Sequence, residues 1–544
     1  MQYWDDPADL VRPQEGTLLP LWSFTSLRVK QRAVTALAWS PKYFDLFAVG
    51  YGSYDFHAPT TGLVCCYSLK SPSRAERTFA LPTAVLCLDF HPEHPNLLAV
   101  GCYDGSVMVF DVRAAETAAS EATGTGSSPA QQPQQQPQHR SHPLFVSTAR
   151  NGKHTEPVWQ VCWQRTDSHE LEFCSVSSDG RVTLWTVSKN ELSFRDLLSL
   201  RQLHAGEAAA LHSARRGRGS AAGSAMQTAD EEVAEDLGLT EVAAGCCLDF
   251  HRSQDYLYMV GTEEGGLFKC STTCTTSYLS AFAGHTLPIY AVRWNSLHPR
   301  AFLSASADWT VKLWDTLHPR VQWRGAPRAC RMLLGGDSGI SGLYCRLVNP
   351  GGAPGRPCSA SSLLNGQPEP GMAPTQPPSP IPLAMQAVMS FDLGSPVGDT
   401  AWAPFSSTVF AAVTEAGRVH VFDLAQNRSA AVCMQRAAKK ARLTRLAFNP
   451  RHPVLLVGDD QGGVTCFKLS PNLRKGVLVP AASGAAGSSS SAAEGASSGS
   501  SGGDGKGLSH TASRRAGEAE RLEAVLAVAH KCNQAMTEAD WELL

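Results

Sequence analysis

Two sets of four residues could do chemistry. His154, Ser175, Asp179 and Trp185 form one set, and His285, Ser304, Asp308 and Trp314 form the other. In both, Asp precedes Trp by six residues and follows Ser by four, while His lies 25 residues ahead of Asp in the first set and 23 in the second. Ser, His and Asp are the makings of a hydrolytic triad, in which an imidazole takes the hydroxyl proton and a carboxylate holds the imidazole. The duplication argues against that chemistry. One nucleophile needs one base, so a second complete copy has no use in turnover, and each set carries a Trp whose indole N–H can only donate. The recurrence fits a buried hydrogen-bonded brace instead.

Other motifs fail the same test. Gly336-Asp337-Ser338-Gly339 looks like the nucleophile segment of a chymotrypsin-like protease, but it sits in a Gly- and Pro-rich stretch and Ile340 follows where an oxyanion-hole glycine belongs. Gly505-Lys506-Gly507 lacks the Ser or Thr that would hold magnesium, and it follows no strand. Cys270 and Cys274 stand alone where a structural zinc needs four ligands. His91, His94, His251, His298 and His452 fall just after apolar, strand-like runs, and that recurrence points to turn chemistry over metal ligation. No catalytic, cofactor or metal site is expected, and the chain is not expected to be an enzyme.

The elements that must position the two sets come from a repeat. An alternating run ending in an aromatic residue recurs at Val34 to Trp39, Val85 to Phe90, Val158 to Trp163, Gly245 to Phe250, Ile289 to Trp294, Val397 to Trp402 and Leu443 to Phe448. The closing aromatics are 44 residues apart from Phe250 to Trp294 and 46 from Trp402 to Phe448. Three gaps are longer, and each holds a stretch of foreign composition, at about 114–143, 205–241 and 325–387. Without them the spacing is that of a four-stranded propeller blade. Runs such as Arg181-Val182-Thr183-Leu184-Trp185 have the period of two expected of short strands. The two residue sets, with Gly284-His285 and Trp314-Asp315, resemble the tetrad of WD repeats. The expected fold is all-β: a seven-bladed WD40 β-propeller with low-complexity inter-blade inserts and a C-terminal α-helix.

Composition agrees. The 544 residues are 43% hydrophobic and 18% charged, enough for a large core with additional segments. A formal net charge of −2 gives no broad attraction to phosphate or anionic lipid, and the runs Lys439-Lys440-Ala441-Arg442 and Arg215-Arg216-Gly217-Arg218 are short, so neither nucleic acid nor membrane is an expected partner. Met1-Gln2-Tyr3-Trp4-Asp5-Asp6-Pro7 does not read as a secretory signal, and no apolar run is long enough to span a bilayer. The reading is a soluble intracellular chain whose 16 cysteines, many in apolar runs such as Cys65-Cys66 and Cys246-Cys247, stay thiols.

The expected organisation is a lead-in and propeller-closing strand over 1–32, the propeller over 33–474, a flexible Ser/Gly/Ala linker over 475–517, and an amphipathic helix and tail over 518–544. The Gln- and Pro-rich run 131–138 is too polar to repay its ordering entropy. Leu522, Val525, Leu526 and Ala529 share one face of the terminal helix. An isolated helix of that length is marginal in water, so the stripe needs a surface, either the chain's own propeller or a partner helix.

With the repeat laid out, several stretches resemble dynein intermediate chains. They include Tyr3-Trp4-Asp5-Asp6-Pro7, Glu15 to Trp22, Pro41 to Val49, Gly52-Ser53-Tyr54-Asp55-Phe56, Asp89-Phe90-His91-Pro92, Ala401 to Phe410 and Leu469 to Arg474. The resemblance covers all seven blades and the terminal helix, and it is nearest to the axonemal outer-arm branch. It implies a non-catalytic subunit in the axoneme of a cilium or flagellum. That subunit would join the dynein heavy-chain tail, pair with a second dynein intermediate chain and help attach the arm to the doublet microtubule. In the family, light chains bind a long amino-terminal region that this sequence does not contain, so light-chain binding is not expected of it. The large inserts also depart from the family pattern. Two alternatives compete: a general WD-repeat adaptor or a cytoplasmic or intraflagellar-transport dynein intermediate chain, and a propeller hydrolase acting through Asp337 and Ser338.

Overall fold

Short alternating runs cannot bury both faces of a single sheet, and the chain solves this by packing seven sheets radially. The computed structural model describes residues 16–54, 61–113, 142–165, 170–189, 191–202, 242–316, 386–477 and 505–542. Blades one to six are four-stranded antiparallel sheets spanning 33–81, 85–146, 158–199, 245–282, 289–392 and 397–436. Blade seven takes three strands from 443–469 and its fourth from the opposite end of the chain. Leu18–Phe24 pairs antiparallel with Val464–Leu469, Leu18 opposite Leu469 and Phe24 opposite Val464. This exchange completes the last sheet with a strand from the start of the chain and so closes the ring.

The seven alternating runs read from the sequence are the innermost strands of the seven blades. Each carries a register shift at its second residue, between Val34 and Ala36, Val85 and Cys87, Val158 and Gln160, Gly245 and Cys247, Ile289 and Ala291, Val397 and Asp399, and Leu443 and Arg445. A bulge sharpens the local twist, which a strand at the crowded axis requires. The closing aromatics have a second use. Trp39 Nε1 donates to Ala447 O, Trp163 Nε1 to Asp89 O and Trp402 Nε1 to Arg293 O, so three of these indoles tie an inner strand to the inner strand of the preceding blade.

Carboxylates extend this stitching. Asp89, Asp249 and Asp399, on blades two, four and six, accept the backbone N–H of Trp163, Trp294 and Leu446 on the next blade. Burial pushes the Asp89 carboxyl up to about 6 from the ordinary 3.8; the Trp163 N–H opposes the rise and the neighbouring Asp249 adds to it. The folded state therefore keeps this proton between about pH 4 and 6, where the unfolded chain has lost it, so Asp89 makes the fold less stable as pH rises through that window. Asp89→Asn keeps an oxygen for Trp163 and removes the titration. It should flatten this part of the stability profile by on the order of 1 kcal/mol, read from urea unfolding at pH 4, 5 and 6.

Two of the three inserts do not join blades. The stretches 114–143 and 325–387 fall between the third and fourth strands of blades two and five, and only 205–241 lies between blades, three and four. The outermost strands are short, Phe145–Val146 and Met389–Asp392, and two to four residues carry no periodicity to mark them. Almost all of these inserts, with Gly336 to Gly339, lies outside the described residues. The terminal helix runs from Gly505 to Glu542, so it starts within the segment expected as linker, where Leu508, Ala512, Arg514 and Arg515 are good helix formers. Once a docked turn exists, each further residue adds one hydrogen bond. No helix among the described residues is long and apolar enough to cross a membrane.

Candidate functional site

Both sequence-derived sets of four assemble. His154 and His285 sit in the loops that enter blades three and five, Ser175 and Ser304 on the second strands, Asp179 and Asp308 in the following turns, and Trp185 and Trp314 on the third strands. In blade three His154 Nδ1 lies 2.9 Å from Asp179 Oδ2, its Nε2 lies 2.7 Å from Ser175 Oγ, and Trp185 Nε1 donates to that oxygen at 2.7 Å. In blade five the corresponding distances are 2.7, 2.6 and 2.8 Å. The indole can only donate, so the Ser hydroxyl donates its own hydrogen bond to His Nε2. Nδ1 then carries the hydrogen that faces the carboxylate.

Each set has the connectivity of a hydrolytic triad, but its environment disables that chemistry. Ser175 and Ser304 are 0% exposed, and an indole N–H already occupies the hydroxyl oxygen that would have to attack. Burial alone would raise the Asp179 and Asp308 carboxyls. Hydrogen bonds from His154 to Asp179, and from His285 and Thr310 to Asp308, outweigh it and hold both below the usual carboxylate range. The loops are also held from the preceding blade. His154 N donates to Gly105 O, and a Cβ at Gly105 would lie 2.1 Å from His154 O; one at Gly265 would lie 2.7 Å from His285 O. His154 thus joins a turn of its own blade to a glycine turn of the blade before, and the His285 loop packs closely against the equivalent glycine.

The other five blades replace both polar partners together. At the Ser position stand Val49, Val100, Val260, Ala412 and Val457, and at the Trp position Tyr67, Phe110, Cys270, Phe422 and Phe467. Indole donor and hydroxyl acceptor are lost together, and the hydroxyl introduced by Tyr67 meets that of Tyr51, so no donor is orphaned, whereas exchanging one member would orphan its partner.

The recurring histidines act in turns. His91 Nδ1 accepts the backbone N–H groups of Glu93 and His94, and His251 Nδ1 those of Ser253 and Gln254. Asn295 and Asn449 do the same with Oδ1, capping Leu297 and His298, and Arg451 and His452. Burial presses the His91 imidazole down to about 4, so it stays neutral and able to accept. Cys270 and Cys274 turn to different oxygens, Phe268 O and Ser277 O. Burial pushes the Cys66 and Cys102 thiols up to about 12, which leaves little reactive thiolate.

The stripe Leu522, Val525, Leu526 and Ala529, expected as a candidate partner-helix face, is covered by the chain's own propeller. All four residues are buried in one cluster with Ala301, Leu303, Phe391, Phe410, Phe422 and Leu424 of blades five and six. Polar contacts fix the helix in place, and the sequence reading did not include them. Glu518 accepts Ser407 N at 3.0 Å and its backbone oxygen accepts Ser407 Oγ at 2.5 Å. Glu523 meets His298 and Arg300, His530 Nε2 lies 3.2 Å from Asp315, and Asn533 Nδ2 donates to Val388 O. Paired hydrogen bonds of this kind require knowing which turns the helix lies across, which spacing alone does not give.

Comparison with known proteins places this architecture. A family model for the dynein axonemal intermediate chain 3 WD40 domain matches residues 17–178, and one for the WD domain, G-beta repeat, matches 276–315, which holds the whole second tetrad. The chain is 41% identical over 476 residues to the 78 kDa intermediate chain of the flagellar outer-arm dynein of Chlamydomonas reinhardtii, covering 87% of this chain and 53% of that protein. It is 39% identical over 477 residues to the ciliary dynein intermediate chain 2 of Heliocidaris crassispina and to dynein axonemal intermediate chain 1 of Bos taurus, covering 87% of this chain and 52% of each. The chain spans about half the length of the curated relatives it matches. Among solved structures, the β-propeller domain of Cps50 (Swd1) from Myceliophteria thermophila superposes with a TM-score of 0.50 at 12% identity, covering 83% of this chain and 99% of that one, a likeness of fold. With its seven blades, the chain is similar over most of its length to axonemal dynein intermediate chains.

Proposed function

We propose that the chain is a non-catalytic scaffold of an axonemal outer-arm dynein. It joins the heavy-chain tail, pairs with a second intermediate chain and helps attach the arm to the doublet microtubule for ciliary or flagellar motility. The observation that carries this reading is the 41% identity over 476 residues to an intermediate chain of a flagellar outer arm. The sealed Ser hydroxyls support it, because among the described residues both Ser-His-Asp sets are spent on holding loops. ATP hydrolysis and force belong to another polypeptide in this account.

A tagged full-length chain expressed in ciliated cells should lie along the axoneme, leave it in high salt, and sediment with an axonemal heavy chain. Diffuse cytosolic or nuclear signal, with no heavy chain in the pull-down, would overturn the reading in favour of a general WD adaptor. Turnover of a substrate by the purified chain, abolished by Ser338→Ala, would overturn its non-catalytic part.

A further inference from the structure

In blades two to seven the turn between the second and third strands passes through one residue with positive φ. Five of the six are glycines, Gly105, Gly180, Gly265, Gly417 and Gly462, with φ between 75° and 86°. Blade five places Trp309 there, at φ 72°. A Cβ clashes with the backbone in this region, so a bulky side chain at a glycine position is strained. The turn is held in that state by its neighbours. Asp308 N donates to Ser306 Oγ, Thr310 N and Oγ1 both donate to Asp308 Oδ1, and Leu393 N donates to Trp309 O.

The fold gains little from this strain, since Trp309 is 51% exposed. Leu287 and Tyr290 of the same blade, at the same end of the propeller, are also exposed. Charge surrounds this apolar centre asymmetrically. The equivalent turns of the adjoining blades carry Glu263-Glu264 and Glu415, and Asp392 ends the outer strand of blade five. Blade six brings Arg418, Lys439 and Lys440 to this end as well, and Arg442 pairs with Glu415, so among the described residues the carboxylates without a cation are Glu263 and Glu264 of blade four and Asp392 of blade five. Strain kept at an exposed aromatic residue, with free carboxylates on its blade-four side, marks a contact site.

We propose that the Trp309 turn is a protein-docking anchor. It receives apolar side chains from a segment of another polypeptide of the dynein arm, a segment flanked by Lys or Arg that meets Glu263, Glu264 and Asp392. The proposal rests on the reading of this chain as an arm subunit and adds the surface and the chemistry of what binds it.

The test uses the full chain in assembled arms. A photo-crosslinking residue at position 309 should join a different polypeptide, within a few residues of a Lys or Arg. Trp309→Gly restores the residue that five other blades use, so it should raise the melting temperature of the purified chain by about 1 to 3 °C. The same change should release the chain from the arm at distinctly lower salt than wild type. Cross-links confined to this chain's own 325–387 segment or to a second copy would overturn the proposal, and so would a Trp309→Gly arm as salt-resistant as wild type. Those failures can occur while wild type still sediments with the arm, which leaves the scaffold reading standing. A wild-type chain that never enters the arm would sink both.

Discussion

Trp314→Ala should lower the unfolding free energy by about 3 to 5 kcal/mol, the range for removing a fully buried aromatic side chain, and should appear as a large drop in the urea midpoint. Trp314 is 0% exposed and stacks on Phe302, with ring centroids 6.0 Å apart. Truncation opens a cavity and also takes from Ser304 Oγ the indole proton it accepts. Asp308→Asn is the milder case at about 1 to 3 kcal/mol, because it keeps the size of the side chain and loses the charge that His285 and Thr310 hydrogen-bond. Its effect should also depend on pH in a definite direction. The folded Asp308 carboxyl is held low, so its stabilisation is fully present above the unfolded value near 3.8 and is lost as pH falls toward the folded value. The gap in stability between wild type and Asp308→Asn should therefore narrow as pH falls below about 4. An unchanged urea midpoint for Trp314→Ala would show that the tetrad does not brace the blade.

The alternating inner strands and both tetrads were legible because their signals are local. A period of two and four residues at fixed offsets can be read without knowing the partner strand. What stayed hidden depends on a neighbour far along the chain. Trp163 was visible as a landmark, but its indole meets Asp89 O, 74 residues away on the preceding blade. Asp89 looked like an ordinary strand residue, yet it accepts the N–H of the next blade's inner strand. Trp309 carried no warning either, since its conformation shows only when six turns are superimposed and five prove to be glycine. The stripe on the terminal helix asks for cover, and spacing alone leaves its occupant open. Leu522 and Leu526 would look the same facing a partner helix. Buried Glu518 could have tipped the balance, since Ser406-Ser407-Thr408 offers donors to a carboxylate, but only a known fold brings the two segments together.

Leu522→Asp should release that helix while leaving the ring closed. Leu522 is 0% exposed among apolar residues of blades five and six, where an unpaired carboxylate would cost several kcal/mol. Undocking exposes it to water and is the cheaper outcome. The freed segment is then marginal as a helix, so hydrogen–deuterium exchange over 515–533 should accelerate at least 100-fold, while the inner strands keep their protection. Glu518, His530 and Asn533 would lose Ser407, Asp315 and Val388 at the same time, because one rigid helix carries all three contacts. Two of those contacts meet blade five on either side of the 325–387 insert: Asp315 ends the third strand and Val388 leads into the fourth. The outer strand Met389–Asp392 should therefore exchange faster as well, by about tenfold or more, since its pairing spans only four residues. A partner-facing stripe would give a different result. The substitution would then leave exchange in the free chain unchanged and would act only in the assembled arm.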